Sequence, residues 1–245
     1  MPDRAAIVTG GTRGIGRAVA DALAEEGYAL TITGRKPDSV ERAVAEMRAA
    51  GADVHGVAAN LTREEAVSEI VGRHRDAYGR LDVLVNNAGV GFGAAATEHQ
   101  TKYVDMQWQI NVRAIILFYR EATPLLRAAA AEHRNALVVN LSSMAGKIGT
   151  PWLSVYSATK SAVIAYTEAM NGELGPEGIK SVALCPGYVD TDMSEFVKDQ
   201  LPADQMIQPQ DLGETVRFLL RLTPGAVVPE LMIHRPGDPR LVPQA

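Results

Sequence analysis

Cysteine is nearly absent: Cys185 alone among 245 residues excludes an internal disulfide and fits a reducing, cytoplasmic setting. Placed at the end of an apolar strand before Pro186, it reads as a small buried hydrophobe and not as a nucleophile. No run of about 18 apolar residues is present, so no transmembrane helix is expected. The opening Met-Pro-Asp-Arg leads into a short strand and lacks the long apolar core of a secretory leader. Five histidines are scattered with no pair at ligand spacing, so no catalytic metal is expected. A net charge of −5 and dispersed Lys and Arg leave no nucleic-acid footprint. Linkers, repeats and low-complexity tracts are also missing, and the alanine run 128–131 needs only helix propensity to explain it.

What is present is a chain with 47% hydrophobic content, enough to bury a substantial core as one α/β domain spanning 1–245. Apolar strand patterns at 5–9, 29–33, 54–59, 81–86, 137–142, 181–185 and about 230–233 alternate with helical patterns. The helices are expected at 17–26, 38–50, 62–78, 100–132, 155–174 and 209–222. That alternation predicts a doubly wound, Rossmann-type parallel sheet of about seven strands with helices on both faces and right-handed crossovers. An irregular tail is expected at about 234–245.

Tyr156 and Lys160 stand one helical turn apart, so phenol and ammonium project from one face. A free tyrosine holds its proton at neutral pH, and a neighbouring cation favours the phenolate, lowering its pKa toward the working range. A hydroxyl from Ser143, at a neighbouring strand end, would hydrogen-bond a substrate oxygen and the same phenol. Together they form a proton-transfer device for an alcohol or a carbonyl. The hydride partner would sit at the first strand, which runs into Gly10-Gly11-Thr12-Arg13-Gly14-Ile15-Gly16. Strand, glycine turn and helix N-terminus make a phosphate site, because unpaired backbone N–H groups and the positive dipole end face the ligand. The spacing G-x-x-x-G-x-G fits the commoner G-x-G-x-x-G only loosely.

With Asn86-Asn87-Ala88-Gly89, Asn111 and Pro186-Gly187, these motifs recur in the order and spacing of the short-chain dehydrogenase/reductases, a family the chain resembles over residues 4–222. The resemblance implies a nicotinamide-dependent oxidoreductase. Tyr156 would be its acid/base and Ser143 the polariser of the substrate oxygen. Lys160 would bind the nicotinamide ribose and tune the tyrosine, and Asn111 would hold a relay water. It places the cofactor on Gly10, Thr12, Arg13, Gly14, Ile15, Gly16, Asn87, Ala88, Gly89, Tyr156, Lys160, Pro186 and Gly187. Val189 and Thr191 would hold the carboxamide, and transfer would use the pro-S hydride.

No acid follows the second strand before Asp38, where NAD-preferring sites carry one. Arg35 can instead pair with a 2′-phosphate, and Arg13 can approach it from the other side, so NADP(H) and reduction are expected. Asn60 and Leu61 stand near the adenine, where the family usually has an Asp and an apolar residue. Candidates for the substrate pocket are Phe92, Met144, Trp152, Leu153, Val189, Met193 and Phe196, apolar groups that suit an aliphatic or aromatic ketone. A lid is expected over about 188–208. Within the family, a general carbonyl reductase and a 3-oxoacyl-[acyl-carrier-protein] reductase both remain open. Glu177, where carrier-binding members place a base, argues against the second; Arg134 argues for it. A non-catalytic dinucleotide sensor is the reading from another class, and an intact Asn111, Ser143, Tyr156 and Lys160 set weighs against it. The helical segments 155–174 (Ala158, Ala162, Ala165, Ala169, Met170) and 100–132 (Ile110, Ile115, Leu117, Phe118, Leu125) carry more apolar surface than a solvated helix needs. By resemblance they pair between subunits, giving a homotetramer, or a dimer because the tail is unusual.

Overall fold

The computed structural model describes residues 2–133 and 135–238. Seven parallel strands form one sheet in the order β3-β2-β1-β4-β5-β6-β7: β1 Ala5–Val8, β2 Ala29–Gly34, β3 Val54–Ala58, β4 Val83–Asn86, β5 Ala136–Leu141, β6 Ile179–Pro186 and β7 Glu230–Ile233. The helices are α1 Gly14–Glu25, α2 Pro37–Ala49, α3 Glu64–Tyr78, α4 Thr101–Trp108, α5 Ala114–His133, α6 Ser154–Leu174 and α7 Pro209–Leu220.

β1 shows why its sequence is apolar throughout rather than alternating. Ala6 and Val8 pack into one core with Val19 and Leu23 of α1, Met47 of α2 and Val216 of α7. Ile7 points to the opposite face, where Ile70 of α3, Phe118 and Leu126 of α5 and Val163 of α6 lie. Successive side chains of a strand point to opposite faces, and here both faces are covered by helices. Each fully buried side chain of this size contributes about 1.5–3 kcal/mol.

The chain builds outward from β1 to β3, then returns to place β4 on the other side of β1. The crevice between β1 and β4 at the carboxyl edge is therefore the switch point where open α/β sheets bind ligands. A buried polar chain anchors the strands beside it. Asn86 donates to Asn140 (2.8 Å), and Asn140 donates to Tyr119 Oη and Thr167 Oγ1 (both 2.9 Å). Tyr119 donates in turn to Ser181 (2.8 Å). These bonds tie β4, β5 and β6 to α5 and α6.

The expected boundaries hold within a few residues, and the helical stretch expected at 100–132 runs over residues 101–133 but is not α-helical throughout. A π-helical turn, Gln109–Arg113, separates α4 from α5. Such turns widen the backbone locally and are frequent at functional sites. Asn111 lies inside this one, fully buried. The Arg134 expectation, and the part of the tail beyond Asp238, fall outside the described residues. Among the described residues, no helix is long and apolar enough to cross a membrane.

Candidate active site

The glycine loop follows β1 and is shaped by backbone geometry that other residues resist. Gly10 and Gly14 have φ of 66° and 54°, the left-handed region that glycine occupies freely. At Gly16 a Cβ would lie 2.3 Å from the Gly10 carbonyl oxygen and 2.3 Å from Asn87 Nδ2, so no larger residue fits. Thr12 packs its methyl against Gly34 at the end of β2. α1 then begins with no acidic residue in its first turn, and Arg13, its N-cap, contributes no side-chain cap. The positive helix end is left for an anion.

Thr9 joins this loop to the Asn87-Ala88-Gly89 turn after β4. Its Oγ1 accepts from the backbone N–H of Asn87 (2.9 Å) and of Ala88 (3.0 Å) and donates to the Val85 carbonyl (3.3 Å). Asn87 donates back to the Thr9 carbonyl (2.9 Å) and the Gly10 carbonyl (3.2 Å). Sequence reasoning missed Thr9, although a hydroxyl between an apolar strand and a glycine turn is a readable signal. Gly187 is held separately, its N–H donating to the Ile233 carbonyl of β7 (2.8 Å).

The four expected catalytic side chains converge at the carboxyl edge. Ser143 follows β5 and caps a 3₁₀ turn, accepting from Ala145 N–H (3.1 Å), and its hydroxyl is near enough to the Tyr156 phenol to favour the phenolate. Lys160 Nζ is buried, donates to the Leu141 carbonyl (2.6 Å) and lies 5.6 Å from the Tyr156 ring centroid. Gly89 sits between Lys160 and Asn111: a Cβ there would be 3.5 Å from Lys160 Nζ and 3.3 Å from Asn111 Oδ1. Asn111 Oδ1 accepts from Val90 N–H, and its Nδ2 donates to the Val90 carbonyl (both 2.9 Å) and to Thr159 Oγ1 (3.0 Å). Thr159, also unforeseen, donates to the Tyr156 carbonyl (2.8 Å) and so links Asn111 to α6.

The electrostatics differ from the expectation that Lys160 lowers the tyrosine. Burial pushes the Tyr156 phenol up to about 12, and the Ser143 hydrogen bond opposes this only in part. Burial pushes Lys160 down to about 8, with the nearby Cys185 pulling weakly upward. Removal from water disfavours the charged form of both groups, and the ammonium is directed at the Leu141 carbonyl instead of the phenol oxygen.

The basic residues expected near the adenosine end divide. Arg35 is exposed beyond β2 and forms no ion pair among the described residues. Arg13 does not stand free beside it; it pairs with Asp192, across the groove from the glycine loop. Leu61 is buried, and Asn60 Oδ1 accepts from Thr62 N–H (3.2 Å) and Thr62 Oγ1 (3.0 Å). Ile15 is partly buried against the core.

Segment 188–208 covers the same edge. Asp190 N–H donates to the Ile207 carbonyl (2.9 Å) and Ile207 N–H to the Tyr188 carbonyl (3.1 Å). The Thr191 methyl reaches within 3.2 Å of where a Gly14 Cβ would be. Two expected pocket residues do not line a pocket. Val189 is buried in the core beneath this segment. Met144, in the 3₁₀ turn, turns down onto Ala183 and Cys185. The exposed apolar groups expected at the mouth are Trp152, Met193 and Phe196, with Ile148 exposed beyond the 3₁₀ turn, while Phe92 stacks on Tyr103 with centroids 4.6 Å apart. Ile148 was not foreseen.

The geometry matches known proteins over most of the chain. A family model described as short chain dehydrogenase matches residues 4–202. The 3-oxoacyl-[acyl-carrier-protein] reductase FabG of Staphylococcus aureus is 34% identical over 227 residues, covering 88% of this chain and 90% of that protein. An alcohol dehydrogenase from the archaeon Thermococcus sibiricus, solved with 5-hydroxy-NADP, superimposes with a TM-score of 0.84 at 28% identity, covering 94% of this chain and 95% of that one. A 3-ketoacyl-(acyl-carrier-protein) reductase from Brucella melitensis, solved with NADH, gives 0.84 at 28% identity, covering 95% and 97%.

Proposed function

This chain belongs to the short-chain dehydrogenase family, and from that premise we propose that it is an NADP(H)-dependent reductase of small carbonyl compounds. The observation that carries the reading is the convergence of Ser143, Tyr156, Lys160 and Asn111 beside a glycine loop at the sheet's switch point. The residues fit the dinucleotide: two left-handed glycines, a Gly16 that admits no Cβ and an α1 N-terminus without acid suit a pyrophosphate. Arg35 suits a 2′-phosphate. Bound there, NADP(H) supplies the hydride that reaches the carbonyl carbon.

The protein's own part is proton delivery. Tyr156, its pKa held near 12, keeps its proton at neutral pH and yields it only as the carbonyl oxygen gains negative charge. Ser143 offers that oxygen a second hydrogen bond. Lys160, at about 8, remains mostly cationic at pH 7, positioned for the ribose hydroxyls and stabilising negative charge nearby. The amide of Asn111 is already engaged by Val90 and Thr159, so its main chain is the part left to hold a relay water. Removing a positioned acid costs about 10²–10⁴ in rate. Tyr156→Phe should therefore lose NADPH oxidation with a ketone to that extent while its NADPH Kd stays within a few-fold. Retained turnover would defeat the assignment, and NADPH binding without turnover of any ketone in the parent protein would favour the sensor.

The FabG likeness keeps a carrier-protein thioester as the second reading. The Glu177 objection weakens, because Glu177 is paired with Arg127 (Nη2 to Oε1, 2.9 Å) and its charge is largely balanced. Segment 188–208 supplies a better one: of Asp190, Asp192, Glu195, Asp199 and Asp204, Asp192 pairs with Arg13 and Asp190 and Glu195 share the single Lys198, which leaves the segment acidic. That field disfavours an acidic carrier at the mouth.

For assembly, Ile115, Leu117, Phe118 and Met170 are consumed by the core, which leaves exposed Trp108 and Ile116 with the exposed Ala158, Ala165 and Ala169 of α6 as the surface for subunit contact. We retain a homotetramer through these helices, with the dimer second. Light scattering that gave a monomer mass at micromolar concentration would remove it.

A further inference from the structure

Trp152 stands out by its backbone. With φ of 68° it is the one residue other than glycine with a positive φ among the described residues, and an L side chain of this bulk resists that conformation. Strain of this kind persists where the surroundings hold it, and such sites cluster around ligands. Two contacts hold it here. The Ala94 N–H donates to the Trp152 carbonyl (2.9 Å). The indole lies flat on Gly93, where a Cβ would be 2.3 Å from Cε3 and 2.4 Å from Cδ2.

The same loop touches the catalytic phenol. Gly91 rests on the Tyr156 ring, a Cβ there lying 3.3 Å from Cδ2. Between the two glycines, Phe92 is fixed by its N–H donating to Gln107 Oε1 (3.2 Å) and by stacking on Tyr103. Two residues of chain span at most about 7 Å. The indole is thus set a short, fixed distance from the group that would protonate the carbonyl oxygen. Despite this restraint, Trp152 is 54% exposed. Its outer side faces Phe196, also 54% exposed, with centroids 5.9 Å apart and planes tilted by 48°. Tyr188 meets Phe196 edge-on at 6.4 Å. The three rings carry no formal charge, and Phe196 belongs to the segment that covers the mouth.

We infer that Trp152 is the specificity-determining residue of the substrate site, an aromatic shelf that selects ketones bearing a flat aryl group a few bonds from the carbonyl. The inference rests on the carbonyl-reductase reading above and names its substrate class. An aryl ring gains offset stacking on the indole beyond simple area burial, whereas a short alkyl chain does not. Phe196, which rests on the outer side of the indole, would swing off it to admit the aryl ring and then cover that ring's other side.

Benzylacetone and butanone share a methyl ketone and differ by one phenyl group, so they isolate the shelf. Trp152→Gly suits the backbone better than tryptophan does, and its Tm should be unchanged or raised. Its kcat/KM for benzylacetone should fall roughly tenfold or more, mainly through KM, with butanone changed less than about threefold and the NADPH Kd unchanged. Trp152→Phe should recover most of the aryl preference. Equal losses for both ketones, or none, would overturn the proposal. Binding is read independently of turnover. The chain has two tryptophans, so Trp108→Phe leaves Trp152 as the reporter. With NADP⁺ present, benzylacetone should quench it saturably and butanone should not; absence of saturable quenching also overturns the shelf. Quenching without NADPH oxidation would uphold the shelf and sink carbonyl reduction. Oxidation of NADPH by both ketones with equal efficiency would do the reverse.

Discussion

Replacing Thr9 by valine tests whether one hydroxyl holds the two halves of the cofactor groove together. The exchange keeps shape and β-branching while deleting Oγ1, which has its full complement of one donated and two accepted bonds. The N–H groups of Asn87 and Ala88 would face a methyl instead. A buried donor left without an acceptor costs about 1–3 kcal/mol. These two are part-buried, so the lower half of that range applies to each, and about 3 kcal/mol is expected for the pair. For a chain of this length roughly 2–4 °C of Tm accompanies each kcal/mol, which predicts a fall of about 6–12 °C. Asn87 and Ala88 would also lose their register against Gly10, and NADPH affinity should drop with stability. Thermal unfolding followed by circular dichroism, with NADPH titration on the same samples, measures both. Thr9→Ser, which keeps the oxygen, should restore most of each. A valine variant that melts within about 2 °C of the parent, with unchanged NADPH affinity, would refute the reasoning.

Two further outcomes are expected. Arg35→Asp should raise the KM for NADPH by about tenfold or more and leave that for NADH nearly unchanged, since it sets a like charge against the 2′-phosphate; an unaltered ratio in cofactor kinetics would take Arg35 out of the argument. His74 is fully buried, bonded to Thr31 Oγ1 (2.8 Å) and the Arg80 carbonyl (2.9 Å), and burial lowers its pKa from 6.5 to about 4. The unfolded chain therefore takes up the proton first, so this contribution is intact above about pH 6.5 and is lost as pH falls toward 4. Between pH 7 and 5 it amounts to a loss on the order of 2 kcal/mol, and urea melts of His74→Gln should show a shallower acid slope than the parent. Parallel slopes would count against it.

Much of this molecule is local in origin and could be read from the chain. The apolar strands, the helices between them and the glycine turn each follow from neighbours a few residues apart, so the doubly wound sheet was legible, as was the one-turn spacing of Tyr156 and Lys160. The helical stretch expected over 100–132 was legible as well, but its π-helical turn was not, because helical periodicity cannot register one extra residue in a turn. Asn111, inside that turn, bonds Val90, a distant partner in sequence. Met144 and Val189 looked like pocket residues for the same reason: apolar character marks burial, and only packing tells core from cleft.

The chemistry we propose can be read along the chain, because the candidate acid, polarising hydroxyl and cation are residue types at set spacings. Tertiary structure alone decided how those groups behave. Burial at the sheet edge raises Tyr156 and lowers Lys160, and the Leu141 carbonyl turns the ammonium from the phenol. Loops distant along the chain set Thr9 against Asn87, Arg13 against Asp192 and Trp152 on Gly93. Propensity and spacing act along the chain, whereas desolvation and contact depend on which segments the fold brings together.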